Sequence, residues 1–366
     1  MTTPFYQKIR DDLFELIRLK QYASDGSLPT ETQLCEQYDV SRTTVQRALK
    51  ALVDDGYVQR IPGKGTFVVD GALDHPVRKA LLGVVMCDVS ASYGLGVLRS
   101  IERAAYAEGY SIIYKDTEFN PQKETDAIND LVRLGVDGII LQPLHAEMYN
   151  ETIMKLALQN YPMVLLDRDL PGLDLSFVGN DNYNATKSTM NHLFEMGHRD
   201  ICFVCSDPKN TSTIMDRLTG FYHSFIEVQL ENMHPMVYSK IESTRERRLN
   251  HSLMEKDIDG LCSFISMNPK CTCMFAAEYS ICILIKEALR RMEKHIPEDM
   301  SLVTFDNIYD DFFITSTSYI RQDEDAIGKA AVEMIKNVRN VSKRCVKIIQ
   351  PTFVQNKSVK DLNIQK

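Results

Sequence analysis

From Leu81 onward, short apolar runs alternate with longer amphipathic segments, and this rhythm constrains the fold more than any other feature. "LLGVVMC" reads as a strand, "GVLRSIERAAYAEGY" as a helix ending at Gly109, and "SIIYK" as another strand. "QKETDAINDLVRLGV" reads as a helix and "DGIILQP" as a strand, followed by a helix from Glu147 and the strand "MVLLD". The alternation resumes after Asn180. A helix runs to Met196, then come "ICFVC", a helix around Gly220 to Val228, "CMFAA", a helix from Ile281 to Met292, and "SLVTF". Runs that are apolar throughout suit parallel strands covered on both faces. Two successive sets predict two doubly wound parallel-sheet lobes, with a ligand cleft at the carboxyl ends of their strands.

The chain before this region follows another pattern. Ile9, Leu13, Leu16 and Ile17 mark a helix from Phe5 to Tyr22, and "SDGSLP" breaks it. Thr30 and Gln33 form a T-x-x-Q capping box that opens a short helix through Tyr38. "DV" is a tight connection, and Ser41 caps a third helix. With Val45 at zero and about 100° per residue, Ala48, Leu49, Leu52 and Val53 share one stripe while Thr43, Gln46, Arg47 and Lys50 face away. "YVQRI" and "TFVV" are two short strands joined by Pro62, Gly63, Lys64 and Gly65. Three helices followed by a hairpin make an N-terminal winged helix-turn-helix of α+β class.

In such a fold the second helix of the pair enters the major groove with its N-terminal residues nearest the bases. Arg42 suits bidentate contact with guanine, Gln46 suits adenine or phosphate, and Thr43 and Thr44 suit phosphate or a thymine methyl. Gly63 and Gly65 allow the hairpin tip to approach DNA and leave Lys64 to reach phosphate or the minor groove. Residues 1–72 hold nine Lys/Arg against ten Asp/Glu. The cations are nevertheless clustered at Arg42, Arg47 and Lys50 and at Arg60 and Lys64. Screening limits exposed charge to about 8–10 Å, so clustering outweighs the sum.

Composition narrows the function classes. A chain of 366 residues with 44% hydrophobic content can bury large cores. Its net charge of −8 and pI near 5.6 argue against a protein that coats nucleic acid or anionic membrane with its whole surface. No apolar run approaches the roughly 18 residues of a membrane span, and the amphipathic N-terminus has no signal-peptide pattern. A cytoplasmic protein without membrane contact is expected. Cys202 and Cys205, and Cys271 and Cys273, fall in apolar strand-like runs and read as small buried hydrophobes, so no metal and no cofactor is expected. No G-x-G-x-x-G follows an early strand and the histidines form no local motif, so the chain does not read as an enzyme.

The string "PTETQLCEQYDVSRTTVQRALKALVDDGYVQRIPGKGTFV" resembles the winged helix of gluconate-repressor (GntR) type transcription factors almost position by position. The resemblance implies operator contact at Glu31, Arg42, Thr44, Gln46 and the wing glycines. Glu31 reads equally as a residue that orients the first turn of its helix. Double-stranded operator DNA is the implied partner.

The later half resembles the effector domain of lactose/galactose-repressor (LacI/GalR) type regulators, a relative of type I periplasmic binding proteins. "GVVMCDVSASY", "IERAAYAEGY", "VDGIILQP", "VLLDRDLPGLDLSFVGNDN", "HLFEMGHRDICFV", "RLTGF" and "IPEDMSLVTFDN" carry it. The combination looks like arabinose-repressor type proteins and implies effector contacts at Ser90, Tyr93, Asp167, Arg168, Arg217, Asp306 and Gln322. Where the family usually has Asn-Asp, this chain has Glu278 and Tyr279; Glu278 suits hydroxyls or repels phosphate and carboxylate. A neutral sugar effector is expected, and a purine or sugar phosphate, acting on an activator or corepressor-type regulator, is the alternative.

The expected organisation is a DNA-binding domain over 1–70, a linker over 71–80, an effector-binding and dimerisation domain over 81–356, and a tail over 357–366. A helix-turn-helix monomer contacts few base pairs, so a homodimer on a pseudo-palindromic operator is expected. "NKSVKDLNIQK" has no heptad run to build a larger assembly.

Overall fold

The computed structural model describes residues 5–23, 25–69, 80–87, 89–144, 150–208, 211–228, 234–245, 250–308, 316–338 and 344–363. The chain divides into two compact units, Met1–Lys79 and Ala80–Lys366.

In the first unit, α1 (Phe5–Arg18) buries Ile9, Leu13 and Ile17. It stops short of the expected Tyr22 because Lys20 adopts a left-handed backbone at φ 54°. The Thr30–Gln33 capping box opens α2 (Glu31–Tyr38), and left-handed Asp39 supplies the tight connection. Ser41 caps α3 (Arg42–Asp54), which buries Val45, Ala48, Leu49 and Leu52 against α1. β1 (Val58–Ile61) and β2 (Gly65–Val68) pair antiparallel, and Phe14 meets Tyr57 edge-on at 4.8 Å. Each fully buried aliphatic side chain contributes about 1.5–3 kcal/mol, which lets so small a unit hold together.

The second unit begins with β3 (Ala80–Met86), α4 (Leu95–Ala107), β4 (Tyr110–Asp116), α5 (Pro121–Leu134) and β5 (Gly138–Leu141). It continues through α6 (Glu151–Leu158), β6 (Met163–Leu166), β7 (Ser176–Asn180), α7 (Asn182–Glu195) and β8 (Asp200–Ser206). Next come α8 (Ser212–Val228), β9 (His234–Ile241), α9 (His251–Met267), β10 (Cys273–Ala276) and α10 (Tyr279–Arg291). The last elements are β11 (Ser301–Phe305), β12 (Ser318–Arg321), α11 (Glu324–Val338), β13 (Val346–Ile349) and β14 (Thr352–Val354). β7, β9, α9, β12, α11, β13 and β14 have no counterpart among the elements expected from sequence. The expected helix from Glu147 begins instead at Glu151, with Asn150 as its cap; residues 145–149 lie outside the described residues.

These strands form two six-stranded sheets, ordered β13-β7-β6-β5-β3-β4 and β14-β12-β11-β10-β8-β9. The order is the same in both, so β6 and β11 occupy equivalent places, as do β7 and β12. All pairings are parallel except β12 with β14, an antiparallel edge. The lobes are not consecutive stretches of chain. After β12 the chain returns to the first lobe, where α11 packs on α4 and β13 pairs with β7, and then crosses back as β14. Three crossings result, at Asn180–Asn182, Gln322–Glu324 and Gln350–Pro351.

The expected linker lies outside the described residues apart from Ala80, which opens β3. Residues 357–363 of the expected tail are docked on the second lobe; 364–366 lie outside the described residues. Ser358 is 2% exposed, and its hydroxyl donates to the Leu302 carbonyl. His198 lies 3.1 Å from the Lys360 carbonyl of this tail, and burial pushes its pKa down to about 4. Cys202, Cys205, Cys271 and Cys273 are buried free thiols, and burial raises that of Cys271 to about 11. Among the described residues no group of three or more His, Cys, Asp or Glu is placed to hold a metal ion. No described helix is long and apolar enough to cross a membrane.

Candidate nucleic-acid interface and ligand pocket

In the first unit one carboxylate organises the exposed polar face. Glu31 Oε2 accepts from Arg42 Nε at 2.7 Å and from Gln46 Nε2 at 3.1 Å, and Glu31 Oε1 accepts from Arg60. Glu31 therefore ties α2 to α3 and to the wing; the capping role belongs to Thr30. Ser41 Oγ accepts from the Thr44 amide and lies 2.8 Å from Thr43 Oγ1. Arg42, Thr43 and Lys50 are exposed. Arg47 lies over the Tyr6 ring, 4.0 Å from its centroid, so its head is held toward α1. At the wing tip Gly63 and Gly65 take φ of 76° and 128°, which L side chains rarely adopt, while a Cβ on Gly63 would meet nothing. Backbone conformation therefore selects glycine at Gly63. Lys64 between them is exposed.

In the second unit the carboxyl ends of equivalent strands carry the same device twice. Asp167 stands one residue after β6 and Asp306 one residue after β11. Both have left-handed backbones, at φ 65° and 61°. The Asp167 amide donates to the Val178 carbonyl and the Asp306 amide to the Ile320 carbonyl. Such backbones in non-glycine residues cost free energy and are retained where side-chain placement matters.

The surroundings differ. Asp167 accepts from Tyr93 Oη at 3.1 Å and from Gln142 Nε2 at 3.2 Å. Asp306 accepts from Gln322 Nε2 through both oxygens, at 2.8 and 2.9 Å. Arg217, 5% exposed, donates Nε to Asn182 Oδ1 at 2.8 Å and Nη1 to the Ala277 carbonyl at 2.6 Å. Its guanidinium lies 3.7 Å from the Phe305 ring centroid. Burial pushes the Asp306 carboxyl up to about 7; Arg217 and Gln322 pull it down, and Glu324 and Asp167 push it further up. Burial, then the charges of Asp167, Asp306 and Glu324, hold the Tyr93 phenol well above the usual tyrosine range.

Other expected residues take different places. Arg168 is buried and donates Nη1 to the Pro143 and Leu144 carbonyls, at 3.1 and 2.6 Å. Ser90 closes a turn, its amide donating to the Tyr93 carbonyl at 2.8 Å. Glu278 stands before α10 and accepts from Ser280 Oγ at 2.8 Å. The structure thus brings together Tyr93, Asp167, Arg217, Asp306 and Gln322, with Arg168 beside Asp167. Ser90 meets that group through the Tyr93 backbone, whereas Glu278 is bonded by Ser280.

Gln142, Asn180, Asn182 and Glu324 escaped the sequence reading. Asn180 and Asn182 lie within "VGNDN", and that polar cluster at a strand end was the available signal. Glu324 Oε1 accepts from the Gly94 amide at 2.6 Å, and a Cβ on Gly96 would lie 1.9 Å from its other oxygen. Glycine at 96 is what admits this carboxylate.

Comparison with known proteins agrees with both units. Residues 5–68 match the bacterial regulatory proteins of the gntR family. Residues 82–268 match the periplasmic binding protein domain, and residues 190–359 a periplasmic binding protein-like domain. The chain belongs to the periplasmic binding protein domain family and carries a gntR-family head.

This gntR-headed binding-domain chain is 25% identical, over 99% of both chains, to the arabinose metabolism transcriptional repressor of Geobacillus stearothermophilus. It is 24% identical to the transcriptional repressor PurR of Histophilus somni, over 88% of this chain and 92% of that one. A LacI family regulator from Enterococcus faecium with bound ribose shares the fold at TM-score 0.63 and 19% identity, over 77% of this chain and 99% of that chain. One from Weissella paramesenteroides with bound glucose does so at TM-score 0.63 and 20% identity, over 78% and 100%. The chain is a DNA-binding transcriptional repressor, and the relatives named here are regulators rather than enzymes.

Proposed function

We propose that the chain is a ligand-responsive repressor that binds a pseudo-palindromic operator as a homodimer and is released by a neutral sugar held between its two lobes. The observation that carries this reading is the pair Asp167 and Asp306, set on equivalent left-handed backbones at strand ends and joined by Tyr93, Arg217 and Gln322. Carboxylates and a planar guanidinium hold vicinal hydroxyls in pairs, and an aromatic ring covers a sugar face. Three carboxylates, Asp167, Asp306 and Glu324, act on the Tyr93 phenol, which disfavours an anionic ligand there. The repressor of arabinose metabolism in Geobacillus stearothermophilus, similar along its whole length, supports a sugar.

In the head, Ser41, Arg42, Thr43, Thr44, Gln46 and Lys50 present the DNA-facing side of α3, with Gly63, Lys64 and Gly65 at the wing. Glu31 presets Arg42 and the wing, and Arg47 braces α1. Coupling between effector and operator arises because the ligand binds one arrangement of the dimer more tightly than another; such couplings amount to about 1–3 kcal/mol. Titrating a protein–operator complex with neutral sugars, sugar phosphates and purines tests the reading. A neutral sugar should lower operator affinity. Release by a phosphate or purine alone, or tightening by the sugar, overturns the respective part.

A further inference from the structure

The two lobes are equivalent strand for strand, and this exposes one broken pairing. Gln322 follows β12, beside its own lobe's aspartate, and donates to Asp306 through Nε2. The equivalent place in the first lobe is the end of β7, occupied by Asn180. Asn180 does not hold Asp167, which is bound by Tyr93 and Gln142. Its Nδ2 instead donates across the crossing to Gln322 Oε1. Its other amide atom, Oδ1, is buried without a hydrogen-bond partner, in a residue only 7% exposed. Orienting the amide the other way would set Asn180 Oδ1 against Gln322 Oε1, so the row Asn180–Gln322–Asp306 fixes which end is left over while Asp306 is ionised.

A buried acceptor without a donor is costly, and in native structures it marks a place where a partner is missing. We propose that Asn180 is a further specificity-determining residue of the effector site, its Oδ1 accepting a hydrogen bond from one hydroxyl of the ligand. This rests on the reading of the cleft as a neutral-sugar site. A ligand hydroxyl donating to Asn180 joins a row that ends on Asp306, so one ligand group engages the chain at two of its three crossings between lobes.

The test uses the full chain and calorimetric titration with L-arabinose, D-ribose and D-glucose, followed by single-deoxy analogues of whichever sugar binds. One deoxy position should weaken wild-type binding by about tenfold, the scale of one hydrogen bond to a buried acceptor. In Asn180→Leu the parent sugar should lose a comparable factor, while that one analogue loses nothing further. Asn180→Ser, smaller and still polar, repeats the comparison if the leucine variant does not fold. A uniform loss across all analogues would make Asn180 merely structural and overturn the proposal, as would unchanged binding. If Arg217→Ala abolishes binding while Asn180→Leu leaves every analogue as in wild type, the cleft reading stands and the Asn180 proposal falls. If none of the three sugars binds wild-type protein, the cleft reading falls and takes the proposal with it.

Discussion

The first and second lobes share strand order, an aspartate at the same point of the same strand, and its left-handed backbone, yet they surround that aspartate with different chemistry. In the first lobe Tyr93 and Gln142 donate to Asp167, and Arg168 Nε stands 3.9 Å from its carboxylate. In the second, Arg217 lies near Asp306 over the Phe305 ring, and burial lifts the carboxyl to about 7. Backbone geometry is thus set by the fold and repeated, and each aspartate has an arginine nearby, while the neutral hydrogen-bond partners are set by single side chains and differ.

The largest effect is expected from removing Arg217. Arg217→Ala leaves the Asn182 and Ala277 oxygens without their donor and should cost about 1.5–3 kcal/mol of stability in urea unfolding. It should also remove the effector response with operator binding intact; a normal response would take Arg217 out of the site. Gln142→Ala, the matching change in the first lobe, should cost less in the same assay, because it removes a neutral donor.

Next in size is a change outside both lobes. Arg42→Ala should weaken operator binding by about 1–3 kcal/mol at fixed salt, with sugar binding unaltered. Equal operator affinity would leave Arg42 as only a partner of Glu31.

The aspartates themselves separate by pH. Asp306 is raised from 3.8 to about 7 by burial, so the folded state binds the proton more tightly than the unfolded one. Its ionisation is therefore a penalty that grows as pH rises from about 4 to about 7 and is complete above that. Asp306→Asn should thus gain stability relative to wild type as pH climbs through this window. A stability difference that stays flat from pH 4 to 8 would show that Asp306 ionises freely. The smallest effect is Gly63→Ala, which puts a side chain on a backbone at φ 76° and should destabilise the wing by about 1–2 kcal/mol, read in thermal unfolding.

Much of this arrangement was legible in the sequence. The α2 capping box, the apolar stripe of α3 and the wing glycines are local devices, and each appears where its residues stand. Alternating apolar runs likewise announced parallel strands. α11 and β13 went unread, and their return to the first lobe was not legible, because a hydrophobic period does not report which sheet receives a strand. β9 carries Pro235, Ser239 and Lys240 among its apolar residues, which blurs its pattern. Asn180, Asn182, Gln142 and Glu324 were missed for a related reason. A lone polar residue at a strand end has no period, and its meaning depends on groups far along the chain, such as the 142 positions between Asn180 and Gln322.

The most direct measurement is the melting temperature of the full chain and of Arg217→Ala against a panel of neutral sugars, sugar phosphates and purines. A ligand at 100 times its dissociation constant adds about 2.7 kcal/mol to stability, a shift easily seen. The account predicts that at least one neutral sugar raises the wild-type melting temperature and leaves that of Arg217→Ala unmoved. Stabilisation by phosphates or purines alone, or an equal shift in both proteins, would contradict it.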